Sequence, residues 1–416
     1  MDPVRPHGLK PLLRHSLLAT AANSVVNFGT SVALARLCGP EVLGSFVLVA
    51  AWAHLAFALL SPGFDQAYIQ SSNTPGRWES AVWLSVLQAL LLLVAPVLLL
   101  FSAKLSIPSA ALKSIDIGAF ELVMLSIVGI VFANLLLAPL AARLEYRTVG
   151  WLRLIAAAGA SIVSLGVAAV QEAPSILPLL LRELAAGAFL LLLAALFAKL
   201  PPWHGTPDRG GFLEAALFAR GLWGLVAMEK LLQRSEYLLL GFVVSTADLG
   251  VYFAVRSLFD GIYSVVSAPI QTVLFAHLCR GGQQDAALAL FESKSIRNKV
   301  LGVIVALTIA CAFSPPVLGF IFGAHFVPPW PVPAAFVVLL CGLVVFELVK
   351  VSLMARGTHS ALLPARTLQF VLLGTLLPVL GQRFGIAGAA TASAMAVVGL
   401  ILWSARTASR QRRQRS

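Results

Sequence analysis

A chain of 416 residues that is 59% hydrophobic and only 12% charged, with a mean hydropathy of +0.90, lies far outside the range of soluble globular domains. A formal net charge of +12 would suit a nucleic-acid binder, but the basic residues are dealt out loop by loop along the chain, which excludes that class. Alternating-strand barrel patterning is absent, so the composition points to an all-α polytopic membrane protein.

A hydrocarbon core about 30 Å thick takes about 20 apolar residues per helix. About twelve such spans are predicted, at 14–35, 43–63, 80–102, 117–140, 150–170, 176–198, 216–244, 249–277, 300–321, 332–353, 362–381 and 385–405. Arg5, Lys10 and Arg14 precede the first, and with no small-residue cleavage site behind it this span reads as a retained signal anchor. Most Lys and Arg fall in the even-numbered loops and the termini, a pattern that puts both termini in the cytoplasm. The loops are short. A turn near 277–299 carries an expected surface helix at Gln283–Phe291, and Pro201 to Gly211 is dense in Pro and Gly.

That link divides the chain into an N-terminal six-helix lobe (1–200), a cytoplasmic linker (201–211), a C-terminal six-helix lobe (212–405) and a basic cytoplasmic tail (406–416) that meets anionic lipid. Leu43-Gly44-Ser45-Phe46 and Leu249-Gly250-Val251-Tyr252 open the second helix of each half, and Pro62 and Pro269 recur near the ends of those helices. Six spans per half give two copies in the same orientation, two pseudo-symmetric bundles around a central cleft.

Charge inside spans is the functional signal, because each such residue costs about 2.5–3.5 kcal/mol at the membrane centre on insertion scales. At about 100° per residue, Arg220 and Lys230 lie about 40° on either side of Arg234, forming one basic wall of the seventh helix. Glu229 and Glu236 fall nearly opposite, toward neighbouring helices. In the eighth helix Arg256, Asp260, Tyr263, Ser264 and Ser267 share a face. Arg256 either lines the cleft there or neutralises Asp260 as an i, i+4 pair.

The first helix offers Ser16, Thr20, Asn23, Asn27 and Ser31 as one uncharged stripe, suited to sugars or to interhelical hydrogen bonds. Arg182 and Glu183 pair toward helix five or reach the interface, Glu121 sits near the outer end of helix four, and Glu347 and Lys350 compensate each other. His54 is expected to pack rather than to carry protons. Arg143, Glu145, Arg147 and Arg153 gather at the cytoplasmic end of helices four and five, where membrane orientation explains them; the alternative is that Arg143 and Arg147 meet a phosphate at the cleft mouth.

No phosphate-cradling GxxxxGK[ST] loop and no HExxH pair occurs, and the four cysteines lack metal spacing, so no cofactor or metal is expected. No loop is long enough for a glycan-transferase domain, and the chain reads as a non-enzyme; a membrane-embedded envelope-glycan transferase or ligase is the reading from another class.

The run from Leu34 to Phe46, with Gly63-Phe64-Asp65-Gln66-Ala67-Tyr68-Ile69-Gln70, resembles the first hairpin of the polysaccharide-export flippases of the multidrug/oligosaccharidyl-lipid/polysaccharide exporter superfamily. Arg234 to Gly241, Leu249 to Tyr252, Ala268 to Gln271 and Phe384 to Ala390 continue the likeness, with Glu236 where the family commonly has Asp. The resemblance implies twelve helices in two lobes and alternating-access flipping of a polyprenyl-diphosphate-linked oligosaccharide across the bacterial inner membrane. It also implies membrane lipids and a polysaccharide polymerase or export machinery as partners. The basic wall of Arg220, Lys230, Arg234 and Arg256 suits the diphosphate and Asn23, Asn27 and Ser31 the sugars, while Asp260, Glu229 and Glu236 are the candidates for coupling to H+ or Na+. A cation-coupled small-molecule efflux carrier of the same superfamily is the alternative.

Overall fold

The computed structural model describes residues 9–61, 64–71, 77–106, 115–143, 145–201, 230–269, 314–355 and 362–413, with Leu213, Trp223, Ala227 and Met228. These are helical throughout, apart from turns and short links. In chain order the helices are α1 (Leu9–Leu60), α2 (Phe64–Ser71), α3 (Arg77–Ser106), α4 (Ile117–Ala142), α5 (Tyr146–Val170), α6 (Leu177–Phe197), α7 (residues 230–241), α8 (Thr246–Pro269), α9 (Ser314–Phe322), α10 (Pro331–Ala355) and α11 (Leu362–Arg413). The linker beyond Pro201, the surface helix at 283–291, Arg220 and Glu229 lie outside the described residues.

Seven helices are long and apolar enough to cross a membrane, and the chain is a multi-pass membrane protein. Two of the seven, Ala21–Leu60 and Leu362–Ser404, run to 40 and 43 residues, about twice what one crossing needs. Each is interrupted by one glycine in a backbone region that side chains avoid, Gly39 at φ 78°, ψ 170° and Gly385 at φ 58°, ψ −140°. The loops expected at 36–42 and 382–384 are therefore single-residue breaks. Gly39 ends one helix and Pro40, whose missing N–H would be unpaired in a first turn anyway, starts the next. After the second break, a Cβ on Gly388 would collide with the Leu380 carbonyl, so the Gly385-Ile-Ala-Gly388 run is a geometric requirement. Helix α8 is long enough to span but carries Asp248, Arg256 and Asp260.

The chain divides into two compact units, Met1–Arg234 and Ser235–Ser416. In the first, α4, α5 and α6 pack around Ala133, Leu137, Leu140, Val149, Leu152, Ala156, Leu190 and Ala194. Lipid is as apolar as these side chains, so association rests on close fit rather than on hydrophobic transfer. Gly187 supplies it on α6, where a Cβ would come within 2.6 Å of the Ser126 carbonyl of α4. The N-terminus of α4 is capped by Asp116, which accepts from the amides of Gly118 and Ala119 at 3.1 and 3.3 Å. At the other end of that helix, Tyr68 of α2 and Trp78 of α3 meet edge to face at 5.4 Å over Leu135 and Ala138.

In the second unit α10 packs on α11 and α8. Gly342 lies so near Val397 that a Cβ would approach it to 2.5 Å, and Phe336 of α10 stacks on Phe259 and tilts against Tyr252 of α8.

Two glycines of α11 predict opposite responses to alanine. Gly385→Ala, with no clash but a forbidden backbone, should lose about 1–3 kcal/mol. Gly374→Ala, in regular helix with open space around it, should gain about 0.5–1 kcal/mol. Thermal unfolding in detergent checks both; equal midpoints would deny Gly385 its conformational role.

Candidate functional site

The charged hairpin is built by a tight turn. Helix α7 ends at Gly241, and α8 begins behind Ser245, whose hydroxyl accepts from the Asp248 amide at 3.1 Å and donates to the Asp248 carboxylate at 2.8 Å. Folding back so sharply lays α8 against α7 and brings Glu236 to Tyr252 and Arg256. One oxygen of Glu236, Oε1, accepts from the Tyr252 hydroxyl and from Ser393 Oγ of α11, the latter at 2.7 Å. Its other oxygen faces Arg256 Nη1 at 3.5 Å, and Arg256 Nε donates to Asp260 Oδ1 at 2.9 Å. The guanidinium also lies 5.7 Å from the centre of the Phe336 ring.

Glu236, Tyr252, Arg256 and Ser393 are buried, whereas Asp260 is about half exposed, its side chain at 49%. One cation is thus shared by a buried and an accessible carboxylate. Of the two readings of Arg256, the intrahelical pair with Asp260 is present, and burial takes the guanidinium out of ready reach.

Nearby on the same helix, the Tyr263 hydroxyl donates to Glu347 Oε1 at 2.9 Å, and Lys350 Nζ approaches the same oxygen at 3.2 Å, the compensation expected from their spacing. Arg366 stacks on Phe346 at 4.3 Å and donates to Gln369 at 2.8 Å.

The first unit holds the other candidates. Lys230 is exposed. Arg234 is partly buried, and its Nε is fully shielded with no hydrogen bond among the described residues. Both act electrostatically on His54 of α1.

Asn23, Asn27 and Ser31 share one face of α1 as expected, and that face has a charged partner. Arg182 of α6 donates from Nη1 to Ser31 Oγ at 3.0 Å, and from Nη2 to Asn27 Oδ1 at 3.1 Å and the Asn27 carbonyl at 3.2 Å. The expected pairing of Arg182 toward helix five or the interface is thereby corrected: α1 packs on α6 and presents the acceptors. Arg143 and Arg147 are exposed at the far end of α4 and the start of α5. Glu145 between them pairs with Lys199 at 2.8 Å, and Arg153 donates to Asn134 at 3.0 Å.

Tyr252, Ser393 and Arg182 are the participants that sequence reasoning left without a site role. Tyr252 precedes Arg256 by four residues on the same face, a readable signal. Ser393 sits in a small-residue run with nothing to mark it.

A model of a family described as polysaccharide biosynthesis proteins matches residues 33–331, more than half of the chain. The chain belongs to this polysaccharide biosynthesis family. No curated protein matches it in sequence. Among solved structures, the lipid II flippase MurJ in an inward closed conformation superimposes with a TM-score of 0.75 at 13% identity, covering 94% of this chain and 87% of that one. An inward-facing multidrug resistance MATE transporter of the MOP superfamily gives 0.60 at 13% identity, with 96% of each chain covered. A MOP superfamily transporter from Pyrococcus furiosus, described as having reversed binding-pocket polarity, gives 0.52 at 11% identity, covering 94% and 92%. At such identities the likeness establishes the fold, that of MOP-type transporters, and this family member carries it along nearly its whole length.

The buried pair has a diagnostic energetics. Arg256→Gln leaves the buried Glu236 charge with only the Tyr252 and Ser393 hydroxyls and should cost about 3 kcal/mol or more. Arg256→Gln combined with Glu236→Gln removes both charges and should recover part of that loss, seen as a higher unfolding midpoint for the double variant than for Arg256→Gln alone.

Proposed function

We propose that this protein translocates a polyprenyl-diphosphate-linked oligosaccharide across the bacterial cytoplasmic membrane for export of envelope polysaccharide. The proposal includes twelve spans in two six-helix bundles that work by alternating access, with both termini cytoplasmic. Membership of a polysaccharide biosynthesis family on a transporter fold supplies the frame. The observation that carries the reading is Arg234, one helical turn from exposed Lys230, with a buried N–H that no acceptor of the described protein meets. Buried donors are nearly always satisfied. A diphosphate is the part of such a cargo that recruits Lys and Arg, and it brings the oxygen acceptors this donor lacks. Arg220 on the same arc and Arg143 and Arg147 at the cytoplasmic end extend the basic path in this proposal.

Coupling to H+ or Na+ is assigned to the carboxylates that share Arg256, Glu236 within and Asp260 at the accessible side, with Glu229 as a further member. Protonation or sodium binding at Asp260 would return the guanidinium wholly to Glu236. A second reading, cation-coupled efflux of small molecules, is favoured by the likeness to the multidrug transporters and by the half-exposed Asp260, a group a cationic drug would meet.

Reconstitution in liposomes separates the readings. A fluorescent polyprenyl-diphosphate oligosaccharide in the inner leaflet should reach the outer one. The pair Lys230→Glu and Arg234→Glu should cut that rate at least about tenfold, as expected from losing charge-assisted hydrogen bonds. Undiminished transfer would remove the basic wall from the mechanism, and ethidium transport without lipid transfer would establish the efflux carrier instead.

A further inference from the structure

Arg182 is a charge solved differently from the others. It enters α6 five residues after Leu177, about 8 Å along the helix, at the end opposite the Lys199–Glu145 pair. Its bonds go to neutral acceptors, Ser31 Oγ, Asn27 Oδ1 and the Asn27 carbonyl. Glu183, the one charged neighbour acting on it among the described residues, makes no ion pair with it. Neutral dipoles orient the guanidinium while leaving more of its field in place than a directly bonded carboxylate would. A guanidinium has five N–H donors, so among the described residues those three bonds leave two without an acceptor, Nε–H and one on Nη1.

The support is rigid on every side. Ser126 of α4 donates to the Glu183 carbonyl, and Gly187 seats α6 directly on α4. Thr30 of α1 donates to Ser161 of α5 at 2.7 Å, and Ser31 and Asn27 are held by hydroxyl and amide bonds to the carbonyls one turn earlier. Arg182, Asn27, Ser31 and Asn23 all keep partial exposure.

We propose that Arg182, with Asn27, Ser31 and Asn23, is a sugar subsite that takes the carboxylate of an acidic sugar, and hence that the glycan carried contains uronic-acid-type residues. The inference rests on the flippase reading and specifies its cargo. A single guanidinium, its remaining donors each able to make one bond, matches the charge of a monoanion. Amide and hydroxyl groups beside it match sugar hydroxyls. A diphosphate, with two or more charges, calls for more than one cation, and no second cation acts on Arg182 among the described residues.

Binding to the purified full-length protein tests this with D-glucuronate, D-glucose and inorganic pyrophosphate as probes, read by tryptophan fluorescence. D-glucuronate should bind saturably and D-glucose at least about tenfold more weakly. Arg182→Gln should weaken glucuronate by about tenfold or more and leave pyrophosphate unchanged, while Arg234→Gln should do the reverse. Arg182→Lys keeps the charge without the guanidinium that Asn27 and Ser31 hold in place, so it serves where the glutamine variant does not fold; it should still lose most of the glucuronate affinity. Absence of glucuronate binding, or pyrophosphate binding that disappears in Arg182→Gln, overturns the assignment. A protein that translocates a neutral lipid-linked glycan yet ignores glucuronate overturns this inference and leaves the flippase reading standing.

Discussion

The hairpin of α7 and α8 depends on the cost of leaving Arg256 uncompensated in a membrane. A guanidinium shielded from water must be surrounded by matching charge or dipoles. Here the sharp turn at Ser245 brings Glu236 from one helix beside Arg256 of the next, Asp260 follows one turn later, and Ser393 arrives on α11. Three helices of the second unit are tied by this set, and Phe336 of α10 closes over it. Packing in that region is arranged around the polar group as much as around the apolar side chains.

The first unit meets the same constraint without carboxylates. Arg182 is held by the α1 stripe through amide and hydroxyl dipoles. The difference matters chemically. The Arg256 network contains its own counter-charges and acts mainly on itself, whereas Arg182 is bonded to neutral groups and makes no ion pair with Glu183, the charge that acts on it. A picture in which the N-terminal half offers only hydrogen bonds is therefore too simple: its neutral stripe is the cradle of a cation.

Much of this architecture was legible from apolar run length, since bilayer thickness leaves helices little latitude. The breaks at Gly39 and Gly385 were harder to read, because one residue of unusual φ replaces a loop that composition would place across several. Within the site, helical periodicity identified Asn23, Asn27, Ser31 and the Arg256–Asp260 pair, all set by spacing on one helix. Contacts between helices were not accessible that way. Arg182 meeting Asn27 joins positions 155 residues apart, and Ser393 meeting Glu236 joins positions 157 apart; no local pattern encodes such a meeting. Small residues at crossings, such as Gly187, decide how near two backbones come, and their significance shows only when the partner is known.

A carrier must also let its cargo go, which sets an upper limit on how strongly any one group should hold it. A millimolar contact corresponds to about −4 kcal/mol, and tightening it a thousandfold would add about another 4 kcal/mol to the well that release has to climb. Ion-paired networks like that of Glu236, Arg256 and Asp260 are poor places for such transient contact, because entry of a ligand requires breaking an ion pair first. Arginine held by neutral acceptors avoids that penalty: its partners position it, two donors stay unspent, and its partial exposure limits the gain from burying an anion against it. Under the proposed mechanism the two arrangements divide the work, the carboxylate-rich one holding helices and responding to ions, the neutral one offering brief, directional contact to a passing acidic group.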